Sequence, residues 1–460
     1  MSIDLSLDRV RKLQALLPPY TRPTCHITGT NGKGSVSALV SSILRASAPS
    51  PTFLVGRFNS PHLVTVHDCI TLNNSPVSPE MYNAARSRVE ETDANHSIGA
   101  SSFELLTCTA LHIFETVRAD IVVAEVGMGG RLDATNVIPD ETVLVSAMTE
   151  VDLDHQSFLG ETIGAIAREK AAIARKGRPF VLGQQAHAEV ESVVREVVGQ
   201  AGGDVLLAPT VTLRDWDEVP DGPLPSAPLP PPPQPVEAAI ACFPETLHAL
   251  LPLYGEHQLA NLGTALGVIS AICTHSHVPW RAHIAPDSVT RGIKETTWPG
   301  RLSFHKLPGR QQYVLVDGAH NPASARTLAA YIAQLRPRIV TYILALSHSP
   351  PKTPAQTLAP LLALSRDIKI GVALVTFSQP AGMPWVRAEP IEVMRTTVFA
   401  QAPDTEVWAS NAEAAPFDQF RTAMLWALDR HANTGADGLI VVAGSLYLVA
   451  EFYRLMRSDI

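Results

Sequence analysis

Residues 29–35 read Gly-Thr-Asn-Gly-Lys-Gly-Ser, and they lie between a short strand-like run at 25–28 and a helix-like run at 36–45. A glycine-rich turn between a strand and a helix lets several backbone N–H groups point at one anion, and the helix N-terminus adds partial positive charge. Lys33 is placed to reach the outer phosphates of a nucleotide, and the Ser35 hydroxyl suits a phosphate or a magnesium ion. The stretch predicts a nucleoside triphosphate site. Taken alone it also fits a tight turn, because a glycine separates the lysine from the serine.

Around this loop, short β-rich runs alternate with helical stretches as far as about residue 210, and the rhythm restarts after Arg301. Such alternation is typical of βαβ units, which form a mostly parallel sheet with helices on both faces. We therefore expect an α/β fold, in which a P-loop-type, mostly parallel sheet domain over residues 1–300 is followed by a smaller Rossmann-like α/β domain over residues 301–460. The predicted strands are 53–55, 120–125, 142–146, 179–182, 313–316, 340–345, 370–376 and 439–443, and the predicted helices are 103–117, 161–174, 188–198 and 257–272.

Residues 220–235 form a proline-rich insertion in the predicted first domain. The segment carries too many prolines for a helix or an inner strand. A solvated insertion loop is the favoured interpretation, and a polyproline ligand for a partner domain is the alternative.

The composition restricts the class of protein. In 460 residues the formal net charge is −8, which argues against a general nucleic-acid binder. The five cysteines are widely spaced and form no C-x-x-C pair, as expected in a reducing compartment. The chain shows neither a secretory leader nor an apolar run long enough to span a membrane. We expect a soluble intracellular protein without nucleic-acid or membrane partners, cytoplasmic or alternatively mitochondrial.

Polar side chains follow several predicted strands. Glu125 ends an apolar run and precedes a glycine-rich segment, so it is a candidate magnesium ligand, with an ordinary solvated edge glutamate as the alternative. His155 follows two aspartates and is either a surface residue or a second-site metal ligand. Ser60, in Ser-Pro-His, offers a hydroxyl beside the same cation, although this tripeptide is uninformative by itself.

Two further segments add candidate residues. From its own surroundings on a predicted helix, Lys170 is an exposed lysine paired with a neighbouring acid. In the second half, residues 317–322 (Asp-Gly-Ala-His-Asn-Pro) end a strand and open a helix, and Arg301 has the fork geometry of a phosphate clamp. A phosphate loop in one domain and an Asp/His pair in the other predict a nucleotide held between them.

Taken together, these segments resemble the folylpolyglutamate synthase/dihydrofolate synthase family of the Mur-ligase superfamily. Within that family, residues 3–9, 382–385 and 444–448 are most similar to the fungal dihydrofolate synthase branch. The segments that carry the resemblance run in order along the chain: 29–35, 60–63, 103–104, 125–136, 153–155, 169–171, 256–261, 298–301 and 317–322.

The resemblance implies roles at the matching positions, with Lys33, Glu125, His155 and Lys170 as the catalytic set. Lys170 would be carbamylated and become a carboxylate-like metal ligand, which reverses the interpretation from its surroundings alone. The other implied roles group by ligand: Thr30, Asn31, Gly32, Lys33, Gly34 and Ser35 for the phosphates; Asn261, Arg301, Asp317 and His320 for ATP; Ser60, Glu125 and His155 for magnesium; Ser101, Phe103, Leu132, Asp133 and Ala134 for a pterin.

The activity implied is ligation of L-glutamate to dihydropteroate, driven by ATP through an acyl phosphate. The first alternative is a folylpolyglutamate synthase, which extends reduced folates by the same chemistry. A remote alternative is a P-loop nucleotide-binding protein without catalysis. The implied cofactors are ATP as a substrate and two magnesium ions, with a monovalent cation as a further option, and we expect a monomer.

Overall fold

The computed structural model describes residues 6–216, 229–275, 277–310, 312–350, 352–365, 367–380, 383, 385–432 and 438–457. These residues form two compact units, and the boundary between the units lies between Thr297 and Trp298. Two short pieces, 229–232 and 253–255, group with the second unit although they precede that boundary. Residues 220–228, most of the predicted proline-rich insertion, lie outside the described ranges. None of the helices in the described residues has the length and apolar character to cross a membrane.

The first unit is built on an eight-stranded sheet. Its strands are β1 (Thr24–Thr28), β2 (Val55–Phe58), β3 (Ile70–Leu72), β4 (Ser75–Pro76), β5 (Ile121–Glu125), β6 (Val143–Met148), β7 (Pro179–Leu182) and β8 (Asp204–Leu207). The strand order is β4-β3-β2-β5-β1-β6-β7-β8. In this order, the neighbouring strands β2, β5, β1, β6, β7 and β8 pair in parallel. At the edge next to β2, β3 and β4 add two antiparallel pairs. The mostly parallel sheet predicted from the alternating sequence is confirmed.

Helices cover this sheet, and a small antiparallel sheet lies beside it in the same unit. The helices are α1 (Asp8–Leu16), α2 (Lys33–Ala46), α3 (Pro79–Asn95), α4 (Ser102–Thr116), α5 (Gln156–Leu159), α6 (Ile163–Ala171), α7 (Glu189–Ala201), α8 (His257–His275) and α9 (Pro286–Lys294). The small sheet, with order β11-β10-β9, contains β9 (Thr212–Leu213), β10 (Gln234–Ala238) and β11 (Leu247–Leu251). The sequence did not predict it, since its strands are short and β10 contains Pro235, which is unusual within a strand.

Burial explains why the central strands lie where they do. Every residue of β1 and of β5 is buried, including the polar His26 and Glu125. Strands buried on both faces read as nearly continuous apolar runs, which is how β5 was found in the sequence. Helix α2 packs on these strands and contacts α8 and α9. The loop that opens α2 is therefore supported by the best-buried part of the unit.

The second unit contains a six-stranded sheet with its own core. The strands are β12 (Ser303–Lys306), β13 (Tyr313–Val316), β14 (Ile339–Leu344), β15 (Lys369–Leu374), β16 (Glu406–Ala409) and β17 (Gly438–Ala443), in the order β12-β13-β17-β14-β15-β16. The helices are α10 (Pro322–Leu335), α11 (Pro354–Leu362), α12 (Ile391–Gln401), α13 (Pro416–Arg430) and α14 (Leu446–Arg457). All neighbouring strands pair in parallel except β12, which is antiparallel to β13. This is the Rossmann-like arrangement that the restarted rhythm predicted.

The strand predicted at 53–55 exists but was placed too early in the chain, since β2 begins at Val55 and continues to Phe58. Gly56 and Arg57 look like a break in an apolar run, but both lie inside the strand. A side chain at Gly56 would lie 2.7 Å from the Phe114 ring, so glycine makes room for that ring. Arg57 is buried. The packing of Phe114 against Gly56 thus lies within a strand that continues beyond the predicted end at Val55.

The contact between α2 and α9 generates a prediction about stability. A Cβ atom at Gly292 of α9 would lie 2.4 Å from the Ile43 Cα of α2, so Gly292→Ala forces the two helices apart. We expect it to lower the free energy of unfolding by about 1–3 kcal/mol. The matched control is Gly199→Ala in α7, where no atom lies within 4 Å of the added Cβ.

The control should be neutral or stabilising by up to about 1 kcal/mol, because alanine is the better helix former. Urea denaturation of the full chain measures both variants. Equal stability of the two variants would show that the close approach of α2 and α9 is not needed.

Candidate active site

The glycine-rich loop 29–35 follows β1 and takes a shape that requires glycine at two positions. Gly29 has φ of +142° and Gly32 has φ of +90°. A Cβ atom at Gly29 would lie 1.8 Å from Thr149 Oγ1, and one at Gly32 would lie 2.1 Å from Asn261 Oδ1. An ordinary tight turn, the alternative interpretation, would not require Thr149 to pack so closely on Gly29 and Asn261 on Gly32. Helix α2 begins at Lys33, three residues earlier than predicted, so the loop leads directly into the helix N-terminus.

Neighbouring segments hold the backbone and side chains of this loop. The Thr30 N–H donates to the carbonyl of Glu150 at 2.8 Å, and the Thr149 hydroxyl donates to the Asn31 carbonyl at 2.5 Å. Gln258 of α8 lies 223 residues away from Ser35 in sequence and donates from Nε2 to its hydroxyl at 3.3 Å. Sequence reasoning selected Asn261 and missed Thr149 and Gln258. Gln258 lies inside segment 256–261, which had been noted without assigning it a role.

Two lysine ammonium groups meet at one carbonyl of the loop. Lys33 Nζ donates to the Gly29 carbonyl at 3.0 Å, and Lys170 Nζ donates to the same oxygen at 2.8 Å. Lys170 is only 3% exposed. Its burial, and then the charge of Lys33, lower the pKa of the Lys170 amine from 10.5 to about 7. Two cations on one carbonyl make this place attractive to an anion.

The interpretation of Lys170 as an exposed, paired lysine is therefore wrong. Positions 166, 167 and 170 form the buried face of α6, whereas Glu169 turns outward and pairs with Arg131 at 3.0 Å. The helical periodicity at this point was too short to show which face was buried.

Glu125 lies at the carboxyl end of β5 and is 5% exposed. Its Oε2 accepts a hydrogen bond from Asn59 Nδ2 at 2.5 Å. The Glu125 carboxylate interacts electrostatically with the buried Arg57 guanidinium. Burial lowers the pKa of Arg57 to about 10, and the negative charge of Glu125 opposes this shift. The alternative of a solvated edge glutamate is wrong, because β5 is an inner strand between β2 and β1.

Ser60 and His155 were the other predicted magnesium ligands. Ser60 follows β2, is partly exposed and precedes a cis peptide bond to Pro61. The His155 side chain is 52% exposed, and its Nε2 lies 3.8 Å from an oxygen of Asp154. His155 therefore fits either of its two interpretations, and its role as a ligand stays a prediction.

The described side chains near the phosphate loop fit a magnesium ion without forming a complete cage. Within the described ranges, no three His, Cys, Asp or Glu side chains are grouped as a metal cage. Magnesium is commonly held by one or two carboxylates together with phosphate oxygens and waters, so a full cage is not required. A buried carboxylate at Glu125 and a hydroxyl at Ser35 on the phosphate loop fit that pattern.

The predicted pterin residues separate into two kinds. Phe103 and Asp133 lie together at Gly127, where a Cβ atom would be 2.4 Å from the Phe103 ring and 3.1 Å from Asp133 Oδ2. Ser101 is the N-cap of α4, and its hydroxyl accepts from the Glu104 N–H at 3.3 Å. Leu132 and Ala134 pack in an apolar cluster with residues of α1 and α4. The structure thus brings an aromatic ring and a carboxylate to one loop and gives Ser101 a capping role.

In the second unit, the predicted ATP residues Arg301, Asp317 and His320 lie close together. The two carboxylate oxygens of Asp317 accept from the N–H groups of Leu302 and Ala319, both at 2.8 Å. Burial raises the pKa of Asp317, and Arg301 opposes the shift. A Cβ at the intervening Gly318 would lie 2.5 Å from Arg301 Nη1. His320 Nδ1 lies 2.9 Å from the Gly318 carbonyl.

A small cavity in the second unit includes the predicted His320, but sequence reasoning missed its other lining residues. Its lining includes His320, Ser347, Lys352 and Glu389. Ser347 and Lys352 follow the carboxyl end of β14, where ligands bind in open parallel sheets. No motif marked them, because a serine and a lysine in the proline-containing segment 345–354 read as an ordinary loop.

Two of the three segments that suggested the fungal branch, 382–385 and 444–448, are in contact in the structure. Tyr447 OH lies 3.7 Å from the sulfur of Met383, and its ring lies 5.3 Å from that of Phe377. Gly382, Pro384 and residues 3–5 of the other segment lie outside the described residues.

Comparison with known proteins places the chain in a family. Residues 300–455 match the family model of the dihydrofolate synthetase C-terminal domain. The dihydrofolate synthetase of Saccharomyces cerevisiae is 34% identical over 100% of both chains. The chain belongs to the folylpolyglutamate synthase/dihydrofolate synthase family.

Other members of this family are similar to the chain in sequence or in structure over nearly its whole length. A probable dihydrofolate synthetase of Schizosaccharomyces pombe is 31% identical over 100% of both chains. Among solved structures, Mycobacterium tuberculosis folylpolyglutamate synthase complexed with ADP superposes with a TM-score of 0.77 at 28% identity, covering 100% of this chain and 96% of that one. E. coli FolC in complex with DHPP and ADP superposes with a TM-score of 0.75 at 25% identity, covering 99% and 94%.

The shape of the phosphate loop predicts the effect of a single methyl group. Gly32→Ala would place a Cβ against Asn261 and force alanine into a backbone conformation with positive φ. We expect the affinity for a non-hydrolysable ATP analogue to fall about tenfold or more, as measured by titration calorimetry. Gly164→Ala in α6 is the control, because its nearest neighbour lies at 3.8 Å. An unchanged affinity in Gly32→Ala would exclude this loop from nucleotide binding.

Proposed function

We propose that this protein is a dihydrofolate synthase, which joins L-glutamate to 7,8-dihydropteroate and converts ATP to ADP and phosphate. The observation that carries the proposal is that Lys33 and Lys170 both donate to the Gly29 carbonyl of the phosphate loop. The loop follows β1, and the neighbouring strand β5 ends in the buried Glu125. The full-length fungal relatives named dihydrofolate synthetases support the choice of substrate.

A folylpolyglutamate synthase is the nearest rival, since other relatives carry that name. The same phosphate loop would serve it, and the acceptor substrate alone would differ. A P-loop switch without catalysis is disfavoured, because it does not need a second α/β unit with Arg301, Asp317 and His320 in one cluster.

The chemistry follows from the poor reactivity of a carboxylate. Attack by an amine on a free carboxylate would have to expel oxide or hydroxide, whereas an acyl phosphate expels phosphate. The γ-phosphoryl group of ATP is therefore transferred to the dihydropteroate carboxylate, and the amino group of glutamate attacks the acyl carbon. The tetrahedral intermediate then expels phosphate and leaves the amide. No bond to the protein is formed.

Lys33 is the residue that neutralises charge on the transferred oxygens. Its ammonium group lies on the loop, so it is already placed when the phosphates bind to residues 30–35. Magnesium, held by Glu125 with Ser60, His155 and a modified Lys170, would supply further neutralisation of phosphate charge. Asn261, Arg301, Asp317 and His320 would contact ATP.

Lys170 is proposed to be carbamylated. Its amine adds to carbon dioxide, loses a proton and becomes an N-carboxylate, so a cation turns into an anion. The burial that lowers its pKa to about 7 leaves a large share of the amine neutral and nucleophilic. The change would also remove the repulsion between Lys170 and Lys33.

The acceptor and the amino acid are assigned to separate places. The Phe103 ring offers a face for stacking a flat pterin, and Asp133 offers a carboxylate to the N–H donors of its edge. For glutamate, the cavity with Ser347 and Lys352 in the second unit has the hydroxyl and ammonium groups that a carboxylate needs. A monomer in the cytoplasm, with mitochondria as the alternative location and with ATP, glutamate and dihydropteroate as its small-molecule partners, stays our prediction.

The proposal predicts a substrate preference. Purified protein with ATP, magnesium and labelled glutamate should incorporate label into a dihydropteroate product and release one ADP for each amide formed. Tetrahydrofolate, offered in a parallel reaction, should be a poor acceptor. Incorporation with tetrahydrofolate alone would establish the folylpolyglutamate synthase instead, and incorporation with neither acceptor would remove both ligases.

A second prediction concerns the Lys170 side chain. Lys170→Ala should lower turnover about a hundredfold or more, because the anionic ligand is lost. Added acetate should restore part of the activity by occupying the vacated space. Lys176→Ala, at an exposed position just beyond α6, is the control and should turn over normally. Normal turnover in Lys170→Ala would exclude the carbamate.

A further inference from the structure

A buried chain of hydrogen bonds runs from Asp133 to Thr135 and His26, and no step of the proposed reaction uses the side chains of Thr135 and His26. His26 of β1 places Nε2 2.8 Å from Thr135 Oγ1, and that hydroxyl donates to Asp133 Oδ1 at 2.6 Å. The exposed fractions of His26, Thr135 and Asp133 are 0%, 1% and 5%. Three polar residues buried in sequence-distant segments need a reason, because desolvating them is costly.

The direction of the hydrogen bonds follows from the chemistry of the groups. A carboxylate accepts and does not donate, so the Thr135 hydroxyl proton points to Asp133. The Thr135 oxygen must then accept from His26 Nε2, which fixes the imidazole in the tautomer with its proton on Nε2. His26 Nδ1 finds no hydrogen-bond partner among the described residues, as a bare ring nitrogen would.

The protonation states agree with this direction. Burial, and to a smaller extent the charge of Arg175, lower the pKa of His26 to about 3, so the ring is neutral at physiological pH. Burial raises the pKa of Asp133, and hydrogen bonds from Thr135 and Met128 oppose the rise. Removing the Thr135 hydroxyl would take away a donor that holds Asp133 as an anion.

The chain ends at the loop that carries the proposed pterin site. Asp133 Oδ1 takes the Thr135 hydroxyl and the Thr135 N–H, the latter at 3.0 Å. Its Oδ2 accepts from the Met128 N–H at 2.8 Å and lies beside Gly127, where the Phe103 ring also packs. With Oδ1 anchored behind the loop, rotation of the carboxylate is blocked and Oδ2 stays on the side of Phe103.

We propose that Thr135 and His26 are positioning residues for substrate binding: His26 donates to Thr135, Thr135 donates to Asp133, and the carboxylate is thereby held in the orientation that receives the pterin N–H groups. The proposal rests on the proposed function for the identity of the ligand. The hydrogen-bond direction itself does not depend on the ligand.

The test compares two substitutions at one position. Thr135→Val keeps the shape and removes the hydroxyl, whereas Thr135→Ser keeps the hydroxyl. We expect Thr135→Val to raise the KM for dihydropteroate about tenfold, the cost of one charge-assisted hydrogen bond, with kcat and the KM for ATP changed less than about threefold. Thr135→Ser should restore the KM to near that of the wild type, and His26→Leu should raise it in the same direction as Thr135→Val.

Several outcomes would overturn the proposal. One is an unchanged KM for dihydropteroate in a Thr135→Val protein that unfolds at the wild-type temperature. Another is an equal fall of kcat and of affinity for all three substrates, which would indicate general damage to the fold. Failure of Thr135→Ser to restore the KM would also exclude a role for the hydroxyl.

The tautomer of His26 can be measured on the wild-type protein, so this test does not depend on the folding of a variant. Nitrogen-15 NMR of histidine-labelled protein reports which ring nitrogen of His26 carries the proton, and we expect Nε2 to carry it. A proton on Nδ1 would overturn the hydrogen-bond direction. If the wild type accepts only tetrahydrofolate, the proposed function is wrong, and the KM comparison with tetrahydrofolate then decides the roles of Thr135 and His26.

Discussion

Hydrogen bonds between the phosphate loop and the segment that follows β6 are the contacts on which the rest of the site depends. The Glu150 carbonyl accepts from the Thr30 N–H, and the Thr149 hydroxyl donates to the Asn31 carbonyl. These bonds press Gly29 against Thr149 so closely that a side chain has no room there. Because the loop cannot shift, the Gly29 carbonyl is fixed where Lys170 can reach it from α6. Moving the loop would leave a buried ammonium group without its acceptor, so the loop and α6 are held together.

The electrostatics of the site follow from this fixed geometry. Lys33 and Lys170 donate to one oxygen, and the buried Lys170 amine gives up its proton more easily than an exposed lysine would. Holding the buried Lys170 cation beside the partly exposed Lys33 cation is unfavourable unless an anion joins them or one of them loses its charge. ATP phosphates supply such anions, and a carbamate on Lys170 would remove one positive charge. The electrostatic repulsion between the two lysines in the free protein is therefore relieved by the phosphates and the carbamate of the proposed reaction.

The elements that sequence reasoning found are those whose signals are local. The apolar run that ends at Glu125 predicted β5, and a periodic pattern from His257 predicted α8, although α8 continues to His275. The errors arose where a distant residue decided the outcome. Gly56 reads as a break, but in β2 it accommodates Phe114, and Lys170 reads as a surface lysine, but α6 buries it. A window of sequence records the spacing of residues and not the partner that will cover them.

By itself, the sequence determined the alternation of strands and helices and the glycine positions of the phosphate loop, because strand and helix periods and positive φ angles are properties of a few consecutive residues. Only the tertiary structure decided which polar groups meet. Gln258 reaches Ser35 across 223 residues, and His26 reaches Thr135 across 109. The physical reason is that burial removes these groups from water, and a desolvated group must find its hydrogen bond wherever the packed sheet places a partner. Which lysine is buried, which carboxylate is anchored and which tautomer a histidine holds are therefore consequences of packing.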